Sequence, residues 1–228
     1  MNYRREYYEI VYLDQKVRMS KEELRNFDKD AATWDENPRR AKMTHDIAAA
    51  MMAHIPLTPE MNLLDFGCGT GLLSMELHPH VRSITGMDSS RGMLDAFAAK
   101  AVQRSITNIS TQYFNADERH VLTGAYDLIV CSMALHHMPK IQPVLNQFYA
   151  STSAGGYLCI ADLDPEKGRF HEDHTGVFHD GFEREALSAA FVTAGYKDVQ
   201  AITATEVVKP VADGATERFS IFLISGRK

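Results

Sequence analysis

The residues best suited to chemistry surround a glycine-rich stretch, LLDFGCGTGLLS, at positions 63–74. An apolar run leads to Asp65, and Gly67, Gly69 and Gly71 follow at alternate positions. A glycine-rich turn after a strand usually holds a nucleotide-like ligand. The dinucleotide fingerprint spaces its glycines G-x-G-x-x-G, whereas this chain reads G-x-G-x-G. The stretch therefore predicts a cofactor-binding turn and leaves two classes of cofactor to compare.

Asp65 distinguishes the two classes. A carboxylate just before the first glycine would repel a pyrophosphate, but it suits a ligand that carries an ammonium and a sulfonium, as S-adenosylmethionine does. Asp88 ends the next predicted strand, where a carboxylate can accept hydrogen bonds from two ribose hydroxyls. Asp117 follows the third strand and can accept the exocyclic amine of adenine. NAD-binding folds share the ribose contact, so an NAD-dependent oxidoreductase remains an alternative.

The elements that must position these residues alternate between strand and helix. Helices are predicted to begin near Leu72, Arg91 and Met138, between short apolar strands that are buried on both faces. This order predicts a doubly wound α/β fold, with a mostly parallel sheet and helices on both of its faces. The predicted strands span residues 61–66, 83–88, 110–115, 126–132 and 156–162.

The two ends of the chain depart from this alternation. Residues 1–55 read as a helical cap, in which Asn37 and the proline after it give a start signal for a helix. Near the other end, residues 182–196 predict a helix that closes at Gly195. Two β runs follow that helix and predict an antiparallel hairpin at the edge of the sheet. These runs span residues 199–208 and 218–225.

The composition bounds the class of protein. With 228 residues, 45% of them hydrophobic, we expect one domain over 1–228: a cap over 1–55 and a core over 56–228, with an insertion near 163–181. The net charge of -6 argues against a protein that binds nucleic acid mainly through its phosphates. No stretch approaches the roughly 18 apolar residues of a membrane span, so we expect a soluble protein with no membrane partner. Three cysteines without a CxxC pair fit a reducing, cytoplasmic location.

The motifs together resemble a known family. LLDFGCGTG, ITGMDSSRGML, FNADE and YDLIVCSMALHHM are similar, in order and separation, to the motifs of class I S-adenosylmethionine-dependent methyltransferases of the small-molecule type. The resemblance covers roughly residues 27–228. It implies a Rossmann-like sheet of seven strands in the order 3-2-1-4-5-7-6, with the last strand antiparallel.

The resemblance also implies which residues meet S-adenosylmethionine. It places the methionine part against Asp65 and the turn backbone, the ribose against Asp88, and the adenine beside Asp117 and the backbone of Glu118. Ser89 departs from the family pattern, in which a bulky apolar residue more often packs on adenine, and Met93 is a candidate to replace that packing. The turn backbone in question belongs to Gly67, Cys68 and Gly69.

Several histidines crowd where a substrate should lie. His136 and His137 follow the fourth strand, at the carboxyl edge of the predicted sheet. His171, His174 and His179 occupy the polar insertion, which is long enough to form part of a lid. If the acceptor must lose a proton, histidine is the natural base near neutral pH, and His137 and His174 are the candidates.

Other roles for these segments remain open. A polar turn explains the pair at the fourth strand equally well, and loop ordering is an alternative for the histidines of the insertion. Their spacings, HxxH and HxxxxH, match no compact metal motif, so no metal is predicted. The predicted substrate contacts are Trp34, His136, His137, His174 and His179.

The leading hypothesis is an enzyme that methylates a small molecule by in-line displacement. A nucleic-acid methyltransferase is disfavoured, because no [DNS]-P-P-[YFW] motif follows the fourth strand and no cysteine follows a proline. A non-catalytic cofactor-binding or scaffolding protein is the alternative from a different class. We expect the protein to be a monomer or a homodimer. The acceptor itself has no recognisable signature in the sequence.

Overall fold

A computed structural model describes residues 27–115, 120–211 and 214–228. The first part of the expected cap lies outside these ranges, and so do Asp117 and Glu118. The described strands form one seven-stranded sheet in the order β3-β2-β1-β4-β5-β7-β6. β7 runs antiparallel to both β5 and β6, whereas the other neighbouring pairs are parallel. The predicted fold class and strand order are therefore confirmed.

The strands follow the apolar runs of the sequence. β2 and β4 have the predicted bounds. β5 begins earlier than predicted, because Thr152 already pairs with Tyr126 ahead of a shift in register. Pairing thus resumes beyond a bulge, where Tyr157 pairs with Leu128. The strands are β1 Asn62–Phe66, β2 Ser83–Asp88, β3 Ile109–Tyr113, β4 Tyr126–Ser132, β5 Thr152–Leu163, β6 Lys197–Pro210 and β7 Thr216–Arg227.

The helices begin and end at the expected capping residues. The side chain of Asn37 accepts hydrogen bonds from the backbone N–H groups of Arg39 and Arg40, which starts α2. Gly195, at a φ of 116°, ends α6. α5 begins at Ile141 rather than Met138, because a 3-10 turn over Leu135–His137 precedes it. The helices are α1 Phe27–Asp30, α2 Pro38–His54, α3 Leu72–Leu77, α4 Arg91–Gln103, α5 Ile141–Ser151 and α6 Arg184–Ala194.

Two buried clusters cover the faces of the sheet. Because side chains alternate along a strand, Leu64 and Phe66 of β1 pack into the cluster of α5 and α6. Leu63 packs into the cluster of α2 and α3 on the opposite face. Asp65 has the same parity as Leu63, so it faces the side on which α3 places Ser74. The alternation therefore fixes which way the first acidic residue of the site points.

The described part of the cap is tied to the cofactor-binding half of the sheet. Asp28 accepts hydrogen bonds from the Ser90 hydroxyl at 2.5 Å and from the Gly92 backbone N–H at 2.8 Å, at the start of α4. Asp35 accepts the Thr70 hydroxyl at 2.5 Å and forms an ion pair with Lys100. These contacts hold the cap over the glycine turn. Within the described ranges, no helix is long and apolar enough to cross a membrane.

Candidate active site

Two cavities with shared walls lie at the carboxyl edge of the parallel strands, where open α/β sheets bind ligands. The first cavity has a volume of about 460 Å³ and is lined by residues of the glycine turn, the cap and the insertion. The second cavity, of about 290 Å³, is lined by the end of β2 and the start of α4. Both are lined by Phe27, Trp34, Gly67, Gly69, Met133 and His137.

The glycine turn uses its own backbone donors inside the protein. The N–H groups of Gly67 and Cys68 both donate to the Met87 carbonyl, at 2.8 and 3.0 Å. The N–H of Gly69 donates to the Asp88 carboxylate at 2.8 Å. Gly71 has a φ of 78°, and a Cβ there would lie 2.2 Å from the Phe97 ring, so this position requires glycine. The turn is thus packed for close approach, but these three amides are not offered to a ligand.

Asp65 is a buried carboxylate in the wall of the first cavity, with 2% of its surface exposed. Its Oδ2 accepts the Ser74 hydroxyl at 2.6 Å. Burial, opposed by the Ser74 hydrogen bond and assisted by the charge of Asp88, raises the pKa of Asp65 to about 7. No cation appears among its described contacts, so keeping the carboxylate ionised costs free energy. A positively charged ligand beside it would lower that cost.

Asp88, at the end of β2, lines the second cavity. Its two carboxylate oxygens accept the N–H groups of Gly69 and Ser90, each at 2.8 Å. Burial raises the pKa of Asp88, although these hydrogen bonds oppose the shift. Ser89 and Met93 line the second cavity beside it, and Met93 is almost fully buried. The predicted cofactor residues that the structure describes therefore lie around the two cavities.

His136 and Asp162 form a buried pair at the ends of β4 and β5. The His136 Nδ1 lies 2.7 Å from the Asp162 Oδ1, and the His136 backbone N–H donates to the Oδ2. Although burial opposes the shift, the charge of His136 and its hydrogen bond hold the pKa of Asp162 below its usual range. An ionised carboxylate can only accept, so Nδ1 carries the proton. The Nε2 of His136 is buried and finds no hydrogen-bond partner among the residues that the structure describes, and the residue lines the first cavity.

The other histidines divide between the cavity and the surface. His137 lines both cavities, and its Nδ1 donates to the Gly176 carbonyl at 2.7 Å. The ring centre of His171 lies 4.9 Å from that of His136, in the same wall. The structure does not bring His174 or His179 into the lining of either cavity. His179 instead donates to the Met138 carbonyl at 2.9 Å, which fits loop ordering rather than substrate contact.

Trp34 lies in the wall that both cavities share. The Arg40 guanidinium stacks 3.6 Å from the centre of its ring and donates to its backbone carbonyl. The Phe27 ring meets both Trp34 and His137 edge-on, at 5.9 and 5.2 Å between centres. These aromatic contacts hold the cap against the turn after β4 and close one side of the site.

Three contributors to the site were missed by reasoning from the sequence. Asp162 ends the fifth predicted strand, and the strand order 1-4-5 would have placed it beside His136. Ser74 lies on the buried face of the helix that follows the glycine turn, and its hydroxyl contacts Asp65. Phe27 carried no signal, because only the tertiary fold brings it to the cavity.

The fold is the Rossmann-like fold of class I methyltransferases. Phosphoethanolamine N-methyltransferase 2 of Haemonchus contortus, solved in complex with S-adenosyl-L-methionine, superposes with a TM-score of 0.63 at 13% sequence identity. The match covers 79% of this chain and 52% of that one. At this identity the likeness establishes the architecture and strand order.

The family follows from the sequence match. The model of the methyltransferase domain family matches residues 34–201, and the chain belongs to this family. An uncharacterised methyltransferase of Schizosaccharomyces pombe is 30% identical over 157 residues, covering 62% of this chain and 55% of that protein. A ubiquinone biosynthesis O-methyltransferase of Coxiella burnetii is 29% identical over 149 residues, covering 64% of this chain and 63% of that protein. The chain thus matches less than two thirds of the length of these relatives.

Proposed function

We propose that this protein transfers a methyl group from S-adenosylmethionine to a small-molecule acceptor held in the first cavity. The observation that carries the proposal is the buried Asp65 carboxylate, which faces a cavity and lacks a cation among its described contacts. A positively charged cofactor would supply the missing charge. Membership in the methyltransferase domain family supports the same conclusion.

The cofactor would lie across both cavities. Asp65 would face its ammonium and sulfonium, and Asp88 would accept its ribose hydroxyls. Met93, with Ser89 beside it, would form a wall of the adenine pocket in the second cavity. The adenine contacts of Asp117 and Glu118 stay predictions, since both residues lie outside the described ranges.

The turn and the cap would complete the methionine end. Gly67, Cys68 and Gly69 would contact it through their carbonyl side, because their N–H groups are already used. Trp34 would cover it, and the stacked Arg40 would bring positive charge to its carboxylate.

The same turn argues against a dinucleotide. Pyrophosphate sites depend on backbone N–H groups that point at the phosphate oxygens. Here the N–H groups of Gly67, Cys68 and Gly69 donate to Met87 and Asp88 instead. Two buried carboxylates would add repulsion. NAD-dependent chemistry is therefore the weaker alternative.

His136 is the residue best placed to accept a proton from the acceptor. Asp162 fixes a proton on Nδ1, so when the ring is neutral its lone pair lies on Nε2, which is buried in the wall of the first cavity. S-adenosylmethionine supplies a methyl group on an activated, positively charged sulfur. As the acceptor oxygen attacks the methyl carbon, its proton would pass to the His136 Nε2 and the sulfur would leave as S-adenosylhomocysteine. The name of the Coxiella relative, an O-methyltransferase, supports a hydroxyl acceptor.

Formation of S-adenosylhomocysteine with a panel of phenols and catechols tests this proposal. His136→Gln should lower kcat by about 100-fold or more while leaving cofactor affinity unchanged. His80→Gln, at an exposed position outside both cavities, is the matched control and should behave as wild type. Full activity in His136→Gln would refute the assigned base. Cofactor binding without turnover on any acceptor would favour the non-catalytic alternative.

A further inference from the structure

Two cations line the first cavity from different elements. Arg39 lies in the first turn of α2, and Lys209 lies near the end of β6. The Lys209 ammonium donates to the Phe170 carbonyl at 2.5 Å and lies 5.0 Å from the centre of the Phe170 ring. The cap, the C-terminal hairpin and the insertion therefore contribute neighbouring residues to this part of the cavity.

Neither cation has a carboxylate partner within salt-bridge distance among the residues that the structure describes. Burial lowers the pKa of Lys209; the charge of Glu172 opposes this shift, the positive charge of Arg39 adds to it more weakly, and the charge of Glu166 also opposes it. Glu172 and Arg39 are both exposed, so water screens the charge of each. Lys209 is half-buried, so an anion placed between it and the exposed Arg39 would bond to both cations without displacing a salt bridge of the described residues.

We propose that Arg39 and Lys209 form a subsite for an oxyanion group on the methyl acceptor. This inference rests on the proposed function, since it assigns the substrate class of the same cavity. The rest of the lining mixes polar groups, among them the carboxylates of Glu172 and Asp173, with apolar side chains that suit a flat, aromatic body whose hydroxyl points toward His136. The acceptor class is therefore an aromatic hydroxy compound that carries a carboxylate or a phosphate. The apolar lining residues include Met43, Leu72, Leu73, Met133 and Phe170.

The carboxylate of the cofactor is a separate anion. Arg40, which stacks on Trp34 beside the glycine turn, is the cation assigned to it above. Saturating the protein with S-adenosylhomocysteine fills that place before any acceptor is added. Any anion preference that remains must then come from the acceptor side of the cavity.

Isothermal titration of the S-adenosylhomocysteine complex with three probes tests the subsite. The probes are 4-hydroxybenzoate, 4-hydroxyphenyl phosphate and the neutral 4-hydroxybenzamide. At least one anionic probe should bind about tenfold or more tightly than the amide, as expected for charge-assisted hydrogen bonds. The tighter of the two anions identifies the oxyanion that the acceptor carries.

Variants assign the preference to the two cations. Arg39→Gln and Lys209→Met should each reduce it to about threefold or less, whereas Lys209→Arg, which keeps the charge, should retain most of it. Arg82→Gln, at an exposed position outside both cavities, is the control and should preserve it.

Three results would overturn the subsite: equal binding of the amide and the anions, no detectable binding of either anion, or a preference that survives in both Arg39→Gln and Lys209→Met. Binding of S-adenosylhomocysteine is measured first in each protein, and its absence in wild type would contradict the proposed function instead. In that case the anion preference is measured without it, so the two failures stay distinguishable.

Discussion

Replacing Asp65 with asparagine should stabilise the protein without cofactor, and more so at higher pH. Burial raises the pKa of Asp65 from its ordinary 3.8 to about 7. Between these values the unfolded chain has lost the proton that the folded protein keeps, so stability falls as pH rises through this window and is level above it. From about pH 5 to about pH 8 the loss is about 2 to 3 kcal/mol, at about 1.4 kcal/mol per pH unit. Asparagine keeps the shape and the Ser74 contact but has no charge.

Urea unfolding of both proteins at the two pH values measures this effect. The gain in unfolding free energy from Asp65→Asn should be larger at the higher pH by about 2 to 3 kcal/mol. Asp95→Asn removes an exposed carboxylate of α4 and should show no such pH-dependent gain. If the gain of Asp65→Asn is the same at both pH values, the carboxylate is not held at a cost and the reasoning fails.

The same residue should couple cofactor binding to protons. A cation placed beside Asp65 favours its ionised form, so binding near neutral pH should release part of a proton. Calorimetry in buffers of different ionisation enthalpy detects that release. Asp65→Asn should abolish it and weaken binding, while proton-neutral binding to wild type would contradict the assigned contact.

Two further perturbations test the rest of the cofactor site. Asp88→Ala should weaken S-adenosylmethionine binding by about 1.5 to 3 kcal/mol, because it removes the ribose contact and releases the Gly69 N–H. A titration monitored by Trp34 fluorescence measures the affinity, and an unchanged affinity would contradict the assigned contact. Gly71→Ala should destabilise the fold by at least about 2 kcal/mol, since its Cβ would meet the Phe97 ring. Gly214→Ala is the control for Gly71, because Gly214 has a similar φ of 81° but an added Cβ would meet no atom of the described residues within 4 Å, so it should cost only about 1 kcal/mol in the same denaturation experiment.

Much of the framework could be predicted from the sequence. Apolar runs with clear breaks gave the bounds of β2 and β4, and a capping asparagine gave the start of α2. Asp65 and Asp88 could be found because each stands next to such a break, at the edge where ligands bind. The order of the strands came from the family resemblance rather than from the residues alone.

The rest depended on contacts between distant segments. His136 was a predicted substrate residue, but its partner Asp162 becomes visible only when β4 and β5 are placed side by side. His174 looked equivalent to His171 in the sequence, yet only His171 reaches the cavity, because an irregular loop gives no period from which to infer direction. Lys209 lies on a hairpin far along the chain, and nothing local marks it as a cavity residue.

Calorimetric titration of the wild-type protein with S-adenosylmethionine and, separately, with NAD tests most directly the central claim, which is the identity of the cofactor. The buried carboxylate of Asp65 and the occupied amides of the turn predict saturable binding of S-adenosylmethionine and no binding of NAD. Binding of NAD without any response to S-adenosylmethionine would contradict the account.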